Sequence, residues 1–139
     1  MTAKQYLSQI EVLDKRIQNK LSEEYQLRSL ATNISVPSTS ERVQTSNYGD
    51  RVANIVLKIV EVQSETERLV DNYLKQRSDI IHTIELLETL NCYDLLFKKY
   101  VEYKSLNDIS KEMGYSLQHI KRLHRQAIEE VKKIKGFTS

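Results

Sequence analysis

The stretch SLNDISKEMGYSLQHIKRLHR, residues 105–125, decides the fold of the C-terminal part of this chain. Its apolar residues recur at intervals of three or four, which is the spacing of one buried face of an α-helix. The pattern is interrupted once, at Gly114, and then resumes. It predicts two short amphipathic helices, whose apolar residues are Leu106, Ile109 and Met113 before the glycine and Ile120 and Leu123 after it.

The connection between these two helices has the composition of a tight turn. Helices that cross at a steep angle need a residue between them that tolerates positive φ, and Gly114 does so at little steric cost. Ser105 and Ser116 stand where each helix begins, and a serine hydroxyl there can accept a hydrogen bond from a backbone amide. Counted from Leu106, the apolar residues occupy the positions at which two such helices pack, and Ser110 is small where they approach most closely. The spacing predicts a helix-turn-helix.

The outward face of the second helix has the chemistry of a DNA-binding surface. Gln can pair with adenine and Arg with guanine through two hydrogen bonds, whereas Lys binds phosphates without reading sequence. The predicted DNA-binding residues are those of this face and one lysine before the motif: Ser116, Gln118, His119, Lys121, Arg122, Arg125, Lys132, Lys133 and Lys104. We expect Gln118, His119 and Arg122 to read bases and the lysines to bind phosphates. A solvated amphipathic helix at the end of a bundle is the alternative, but it leaves the spacing around Gly114 unexplained.

The charge of the chain is unevenly distributed. Residues 1–91 contain 11 Lys and Arg against 13 Asp and Glu, a net charge of −2. Residues 92–139 contain 10 against 6, a net charge of +4. This asymmetry indicates a C-terminal part that binds a polyanion, and with the predicted motif it favours double-stranded DNA.

The composition indicates an all-α protein. The chain has three glycines and one proline, helix-favouring residues are plentiful, and no convincing period-two pattern is present. The single cysteine, Cys92, excludes an internal disulfide framework and a multi-cysteine zinc site. No apolar run approaches the roughly 18 residues of a membrane span, and the first residues lack a signal-peptide core. We therefore expect a cytoplasmic protein that does not enter membranes.

The residue pattern does not favour an enzyme. It contains no glycine-rich phosphate loop, no cluster of metal ligands, and no nucleophile–histidine arrangement with local support. His119 and His124 are five residues apart and lack neighbouring carboxylate or thiol ligands. We expect no catalysis, no metal site and no cofactor.

Residues 1–90 are predicted to form a long antiparallel helical arm that precedes a helix-turn-helix domain at 91–135. One helix should run from a capping box at Thr2 to about residue 31, and a second should begin after Asp50. Residues 32–50 are rich in Ser, Thr and Asn, so we expect them to form a flexible loop. Asn91 is expected to end the arm and to cap the next helix.

The second helix of the arm carries the pattern of a coiled coil. Its apolar seam alternates spacings of three and four at Val52, Ile55, Ile59, Val62, Thr66, Leu69 and Tyr73. About 40 residues of helix would span about 60 Å, so the seam needs a partner along its length. The first helix can cover part of it and a second subunit the rest, which predicts a homodimer. A hairpin within one chain, without dimerisation, is the alternative.

The segment YVEYKSLNDISKEMGYSLQHIKRLHRQAIEEVKKI resembles the sigma-70 region 4-like helix-turn-helix, and is most similar to that of small phage-encoded transcriptional regulators of the ArpU/RinA type. ERVQTS and ANIVLKIVE are similar to the arm of those proteins. The resemblance implies a regulator of phage or mobile-element genes. It also implies that the last helix reads promoter DNA through Gln118, His119, Arg122 and Arg125. Nothing in the chain resembles the sigma region 2 module, so a complete sigma factor is not expected.

Two functions follow from these observations. The first is a dimeric, sequence-specific DNA-binding transcriptional regulator. The second is a protein-interaction module that binds RNA polymerase or a sigma factor and modulates transcription with little DNA affinity of its own. Salt dependence distinguishes them, because phosphate contacts weaken steeply with salt and an apolar interface does not.

Overall fold

The structure, a computed structural model, describes residues 1–34 and 45–138, with side chains described for 1–33 and 48–138. All regular elements in these ranges are helical, which confirms the prediction of an all-α fold. A π-helical segment, Phe97–Val101, continues the fourth helix without a break. The α-helices are α1 Ala3–Leu7, α2 Gln9–Ile34, α3 Thr45–Glu85, α4 Leu90–Leu96, α5 Leu106–Met113 and α6 Leu117–Lys135.

The chain divides into two compact units, of which the first contains Met1–Asp14 and Asn72–Ser139. The sequence assigned everything before residue 91 to an arm, whereas the first helix and the end of α3 belong to the same unit as the C-terminal helices. Apolar burial explains this difference. Leu7, Ile10 and Ile84 are completely or almost completely buried in the same core as Ile120 of α6.

The beginning of the chain is held by the predicted capping box. The hydroxyl of Thr2 accepts a hydrogen bond from the backbone amide of Gln5 at 3.1 Å, and the side-chain amide oxygen of Gln5 accepts one from the backbone amide of Thr2 at 2.9 Å. The helix is interrupted at Ser8, so α1 and α2 are separate elements where the sequence predicted one. This cap fixes the short α1 on the core, in which Ala3 and Leu7 are fully buried.

Polar contacts attach the end of α6 to α1 and α3. The hydroxyl of Tyr6 donates a hydrogen bond to the carboxylate of Asp79, and the ammonium of Lys135 lies 3.4 Å from the same carboxylate. Lys135 also lies 5.1 Å from the centre of the Tyr6 ring, which packs against Phe137 at 5.4 Å. The end of α6 is therefore attached to α1 and α3, and the helix also packs on α4 and α5.

The prediction that Asn91 caps α4 is wrong. The N-cap is Thr89, which makes no side-chain capping bond, and Asn91 lies inside the helix. Its side-chain amide donates a hydrogen bond to the hydroxyl of Tyr115 at 3.1 Å. The local pattern assigned this side chain to a helix cap, whereas in the structure it binds a residue 24 positions away in the sequence.

The second unit, Lys15–Asp71, consists of the remainder of α2 and α3. Ile59 and Val62 of the predicted seam are buried, and Lys20 of α2 forms an ion pair with Glu65 of α3, so the two helices lie side by side here. The described helices extend to Ile34 and from Thr45, farther than predicted on both sides of the loop. The rest of the predicted flexible loop, residues 35–44, lies outside the described residues.

Candidate nucleic-acid interface

The turn between α5 and α6 has the predicted geometry. Gly114 is in the left-handed conformation, with φ 73° and ψ 25°, and its amide donates a hydrogen bond to the carbonyl of Ser110 at 3.0 Å. The hydroxyl of Ser105 accepts from the amide of Asp108 at 3.1 Å, and that of Ser116 accepts from the amide of His119 at 3.2 Å. Both predicted caps and the predicted glycine turn are confirmed.

Ser110 does more at this turn than provide a small side chain. Its hydroxyl donates a hydrogen bond to the backbone carbonyl of Tyr115, on the other side of Gly114. An alanine would satisfy the steric requirement but would leave this carbonyl without the bond. The serine therefore links the end of α5 to the residue that immediately precedes the cap of α6.

One face of α6 is buried from Ile120 to Val131. The buried residues recur at helical spacing and pack on α1, α4 and α5. They are Ile120, Leu123, His124, Ala127, Ile128 and Val131. With this face fixed on the core, the helix period directs the opposite face to solvent.

The exposed face brings together four of the predicted DNA-binding residues. Gln118, Lys121, Arg122 and Arg125 line one surface depression, and all four are exposed. Within the part of the chain that the structure describes, Lys121, Arg122 and Arg125 have no carboxylate at ion-pair distance. Their charges face solvent without compensation, so an external anion can bind them without displacing an internal partner.

His119 is held in place by a residue that the sequence did not indicate. Its half-buried ring meets the ring of Tyr115 edge-on, with centroids 4.8 Å apart and planes inclined by 66°. Tyr115 is in turn held by its hydrogen bond from Asn91 of α4. No local sequence signal reveals this arrangement, because it depends on how α4 lies against the turn.

The remaining predicted lysines differ in their surroundings. Lys104 pairs with Glu112 at 2.8 Å and with Glu102 at 3.7 Å, and its hydrogen bond to Glu112 is the main cause that raises its pKa. Lys132 pairs with Glu129 at 2.9 Å. Lys133 is exposed, and no carboxylate among the described residues pairs with it. A phosphate would therefore have to compete with carboxylates at Lys104 and Lys132.

His124 lies on the inner side of α6 and contacts the π-helical segment. It is 7% exposed, its Nε2 is hydrogen-bonded to the hydroxyl of Tyr100 at 2.7 Å, and the two rings stack at 5.8 Å. Burial is the main cause that lowers the pKa of His124 to about 4, and the charges of Lys99 and Lys4 contribute to the same shift. Burial also raises the pKa of Tyr100 to about 12. The pair is therefore neutral at physiological pH.

The described residues contain no group of three or more His, Cys, Asp or Glu side chains that could hold a metal ion. The thiol of the single cysteine, Cys92, is buried beside the backbone carbonyl of Leu123 at 3.8 Å, and burial raises its pKa. None of the helices in the described ranges is long and apolar enough to cross a membrane.

Comparison of the chain with protein-family models, with curated proteins and with solved structures gives no match. The resemblance to ArpU/RinA-type regulators and to sigma-70 region 4 therefore stays a prediction from the residues quoted above.

The first prediction concerns the turn. Gly114→Ala should lower the free energy of unfolding by about 1–2 kcal/mol, because alanine in the left-handed conformation is strained. A Cβ there would meet no atom within 4 Å, so the loss would come from the backbone alone. Gly49→Ala is the matched control: it lies within α3, also has open space, and should gain up to about 1 kcal/mol. Urea unfolding of each variant measures both changes. Equal effects at the two glycines would contradict the role of the turn.

The second prediction concerns acid stability. The unfolded chain binds a proton at His124 near its ordinary pKa of 6.5, whereas the folded chain binds it only near about 4. The unfolded state holds more protons between these values, so the free energy of unfolding should fall as pH falls through this window. The loss from this residue should reach roughly 3 kcal/mol.

Urea unfolding of the parent chain and of His124→Gln over this pH range isolates the contribution of the histidine. Glutamine preserves a polar partner for the hydroxyl of Tyr100 but does not titrate, so its stability should depend less on pH. If stability depends on pH with the same slope in both proteins, other groups account for the acid sensitivity. Asp79 is one such group, because the hydrogen bond from Tyr6 lowers the pKa of its carboxyl.

Proposed function

We propose that the chain is a sequence-specific DNA-binding transcriptional regulator whose α6 enters the major groove of double-stranded DNA. The observation that carries this proposal is the exposed face of α6. It presents Gln118, Lys121, Arg122 and Arg125 together, with the three cations free of carboxylate partners among the described residues.

The proposed reading of bases follows from the position of these residues on the helix. In helix-turn-helix proteins the N-terminal part of the second helix contacts base edges. Gln118 and Arg122 are four residues apart in this part of α6, so they lie one turn above each other on the same side. Gln pairs with adenine and Arg with guanine through two hydrogen bonds. His119, fixed by Tyr115, is the third proposed contact with bases.

The same face of α6, together with Lys104 before α5, supplies the proposed phosphate contacts. Lys121 and Lys133 are exposed without carboxylate partners among the described residues, and Lys132 and Lys104 would exchange a carboxylate for a phosphate. Exposed ion pairs contribute only about 0–1 kcal/mol, so such an exchange costs little. The hydroxyl of Ser116 is used by its cap, which leaves it a minor role beside DNA.

The regulatory part of the proposal rests on the resemblance. Similarity to sigma-70 region 4 and to ArpU/RinA-type regulators supports a cytoplasmic protein that controls phage or mobile-element genes. We propose no catalytic activity and no cofactor for it. Recruitment of RNA polymerase and obstruction of it are both compatible with the proposed surface.

The third prediction is that the protein enriches one motif from a random pool of double-stranded DNA. Arg122→Ala should weaken binding to that motif by about 1–3 kcal/mol and relax the preference at one base pair. Arg68→Ala, an exposed arginine of α3, is the matched control and should leave the motif and the affinity unchanged. Failure to enrich any motif, or an unaltered preference in the Arg122 variant, would contradict sequence-specific recognition.

A second surface supports an interaction with another protein. In the unit Lys15–Asp71, Leu57 is 67% exposed and Val60 56% exposed, and their spacing of three places them on the same side of α3. The predicted seam residues Ile59 and Val62 are buried, so they are not free to bind a partner. We infer that a homodimer would use Leu57 and Val60 instead. RNA polymerase or a sigma factor is the alternative partner for this surface.

The fourth prediction is that the protein sediments as a dimer and that Leu57→Glu shifts it to a monomer, because a charge would be buried at the interface. Leu90→Glu is the matched control, since Leu90 is 76% exposed and lies outside this unit. A dimer should also enrich an inverted repeat, since twofold symmetry in the protein is mirrored in its site. A monomeric parent chain would contradict the dimer but not the DNA contacts of α6.

A further inference from the structure

Lysines of α1 and of the π-helical segment lie near a row of cations on α6. Lys121, Arg125, Ile128 and Lys132 are separated by four, three and four residues, so they follow a single line along the helix. We call this line the α6 flank. Ile128 interrupts its row of cations and is only 6% exposed, so another part of the chain must cover it.

The start of α1 covers the flank at this position. Thr2, Ala3 and Lys4 line one surface depression together with Ile128 and Lys132 of α6. Ala3 is fully buried, whereas Lys4 is exposed, and none of the described carboxylates forms an ion pair with it. Lys4 thus adds a cation beside the gap that Ile128 leaves in the row.

The π-helical segment contacts the buried face of α6 next to the flank. The hydroxyl of Tyr100 reaches Nε2 of His124, which precedes Arg125 of the flank. Lys99 adjoins Tyr100 and its ammonium lies 5.6 Å from the centre of that ring. The charges of Lys99 and Lys4 both depress the pKa of His124, as expected of cations close to its ring. Lys99 pairs with no carboxylate in the described ranges, whereas its neighbour Lys98 pairs with Asp94 at 3.7 Å.

We propose that Lys4 and Lys99 bind phosphates of the DNA strand that borders the groove entered by α6. This inference rests on the proposed function and extends its contact surface to α1 and the π-helical segment. The physical reason is length: α6 has 19 residues, about 28 Å of helix, whereas the major groove is about 12 Å wide. Part of α6 therefore extends past the groove, and Lys4 and Lys99 beside that part would lie next to the phosphate backbone.

Contacts from separate elements would fix the orientation of α6 on the duplex. Phosphate contacts position a protein on DNA and carry no sequence information. A protein that contacts DNA only through α6 can pivot about that helix in the groove. Phosphate contacts from α1 and from the π-helical segment would restrict this movement. Lys4 and Lys99 are therefore proposed to position the reading residues, not to read bases themselves.

The fifth prediction uses the full chain and one short double-stranded DNA. The logarithm of the binding constant is measured against the logarithm of salt concentration between about 50 and 200 mM, over which each phosphate contact contributes a slope of about −0.9. Lys4→Ala and Lys99→Ala should each reduce the magnitude of the slope by about that amount. Lys4→Arg, which retains the positive charge, should keep the slope of the parent chain.

Lys75→Ala is the matched control. It also removes one exposed lysine, but Lys75 lines a different depression on α3 with Leu74, Ser78, Asp79 and His82. Its slope should equal that of the parent chain. Thermal unfolding of all variants verifies that each one is folded.

The outcomes separate this inference from the proposed function. If the parent chain binds DNA with a steep slope that Lys4→Ala and Lys99→Ala leave unchanged, the extended surface is wrong and the α6 contacts stand. If Lys75→Ala lowers the slope as much as they do, the effect is one of net charge and the inference is also wrong. If the parent chain does not bind DNA, both proposals fail together.

Discussion

The burial of one face of α6 is the constraint on which the rest of the first unit depends. Ile120, Ala127 and Val131 are fully buried, and the helix cannot rotate about its axis without exposing them. Burying an aliphatic side chain contributes roughly 1.5–3 kcal/mol, so a rotation that exposed this row would cost several times that amount. The inward face therefore determines which side chains point outward. The direction of the basic face is a consequence of packing and not of the charges themselves.

Polar interactions also hold α6 and the turn before it in place. The hydroxyl of Ser110 holds the turn, the hydrogen bond between Tyr100 and His124 joins the middle of α6 to the π-helical segment, and Lys135 joins its end to Asp79. A buried polar group without a partner is costly, so the buried pair of Tyr100 and His124 favours one arrangement of α6 and the π-helical segment over others. No buried side-chain nitrogen or oxygen among the described residues lacks a hydrogen-bond partner.

The cations of the C-terminal helices fall into two groups that a count of charged residues in the sequence does not distinguish. Lys98, Lys104 and Lys132 lie beside carboxylates, whereas Lys121, Arg122 and Arg125 do not in the described part of the chain. The charges of the second group are therefore not compensated by a neighbouring carboxylate. A net charge of +4 for the last 48 residues thus understates how strongly the charge is concentrated on one helix face.

The sequence alone determined the elements governed by local rules. The helix class, the caps at Ser105 and Ser116, the glycine turn and the inward row of α6 follow from periodicity and backbone sterics, which involve residues within about one helical turn of each other. The tertiary structure decided the rest: α1 and the end of α3 join the C-terminal core, Asn91 binds Tyr115, and Lys4 lies beside the α6 flank. These contacts connect residues far apart in sequence, and the free energy of burying apolar surface does not depend on that separation. A one-dimensional pattern therefore identifies the faces of each helix but not the neighbours that cover them.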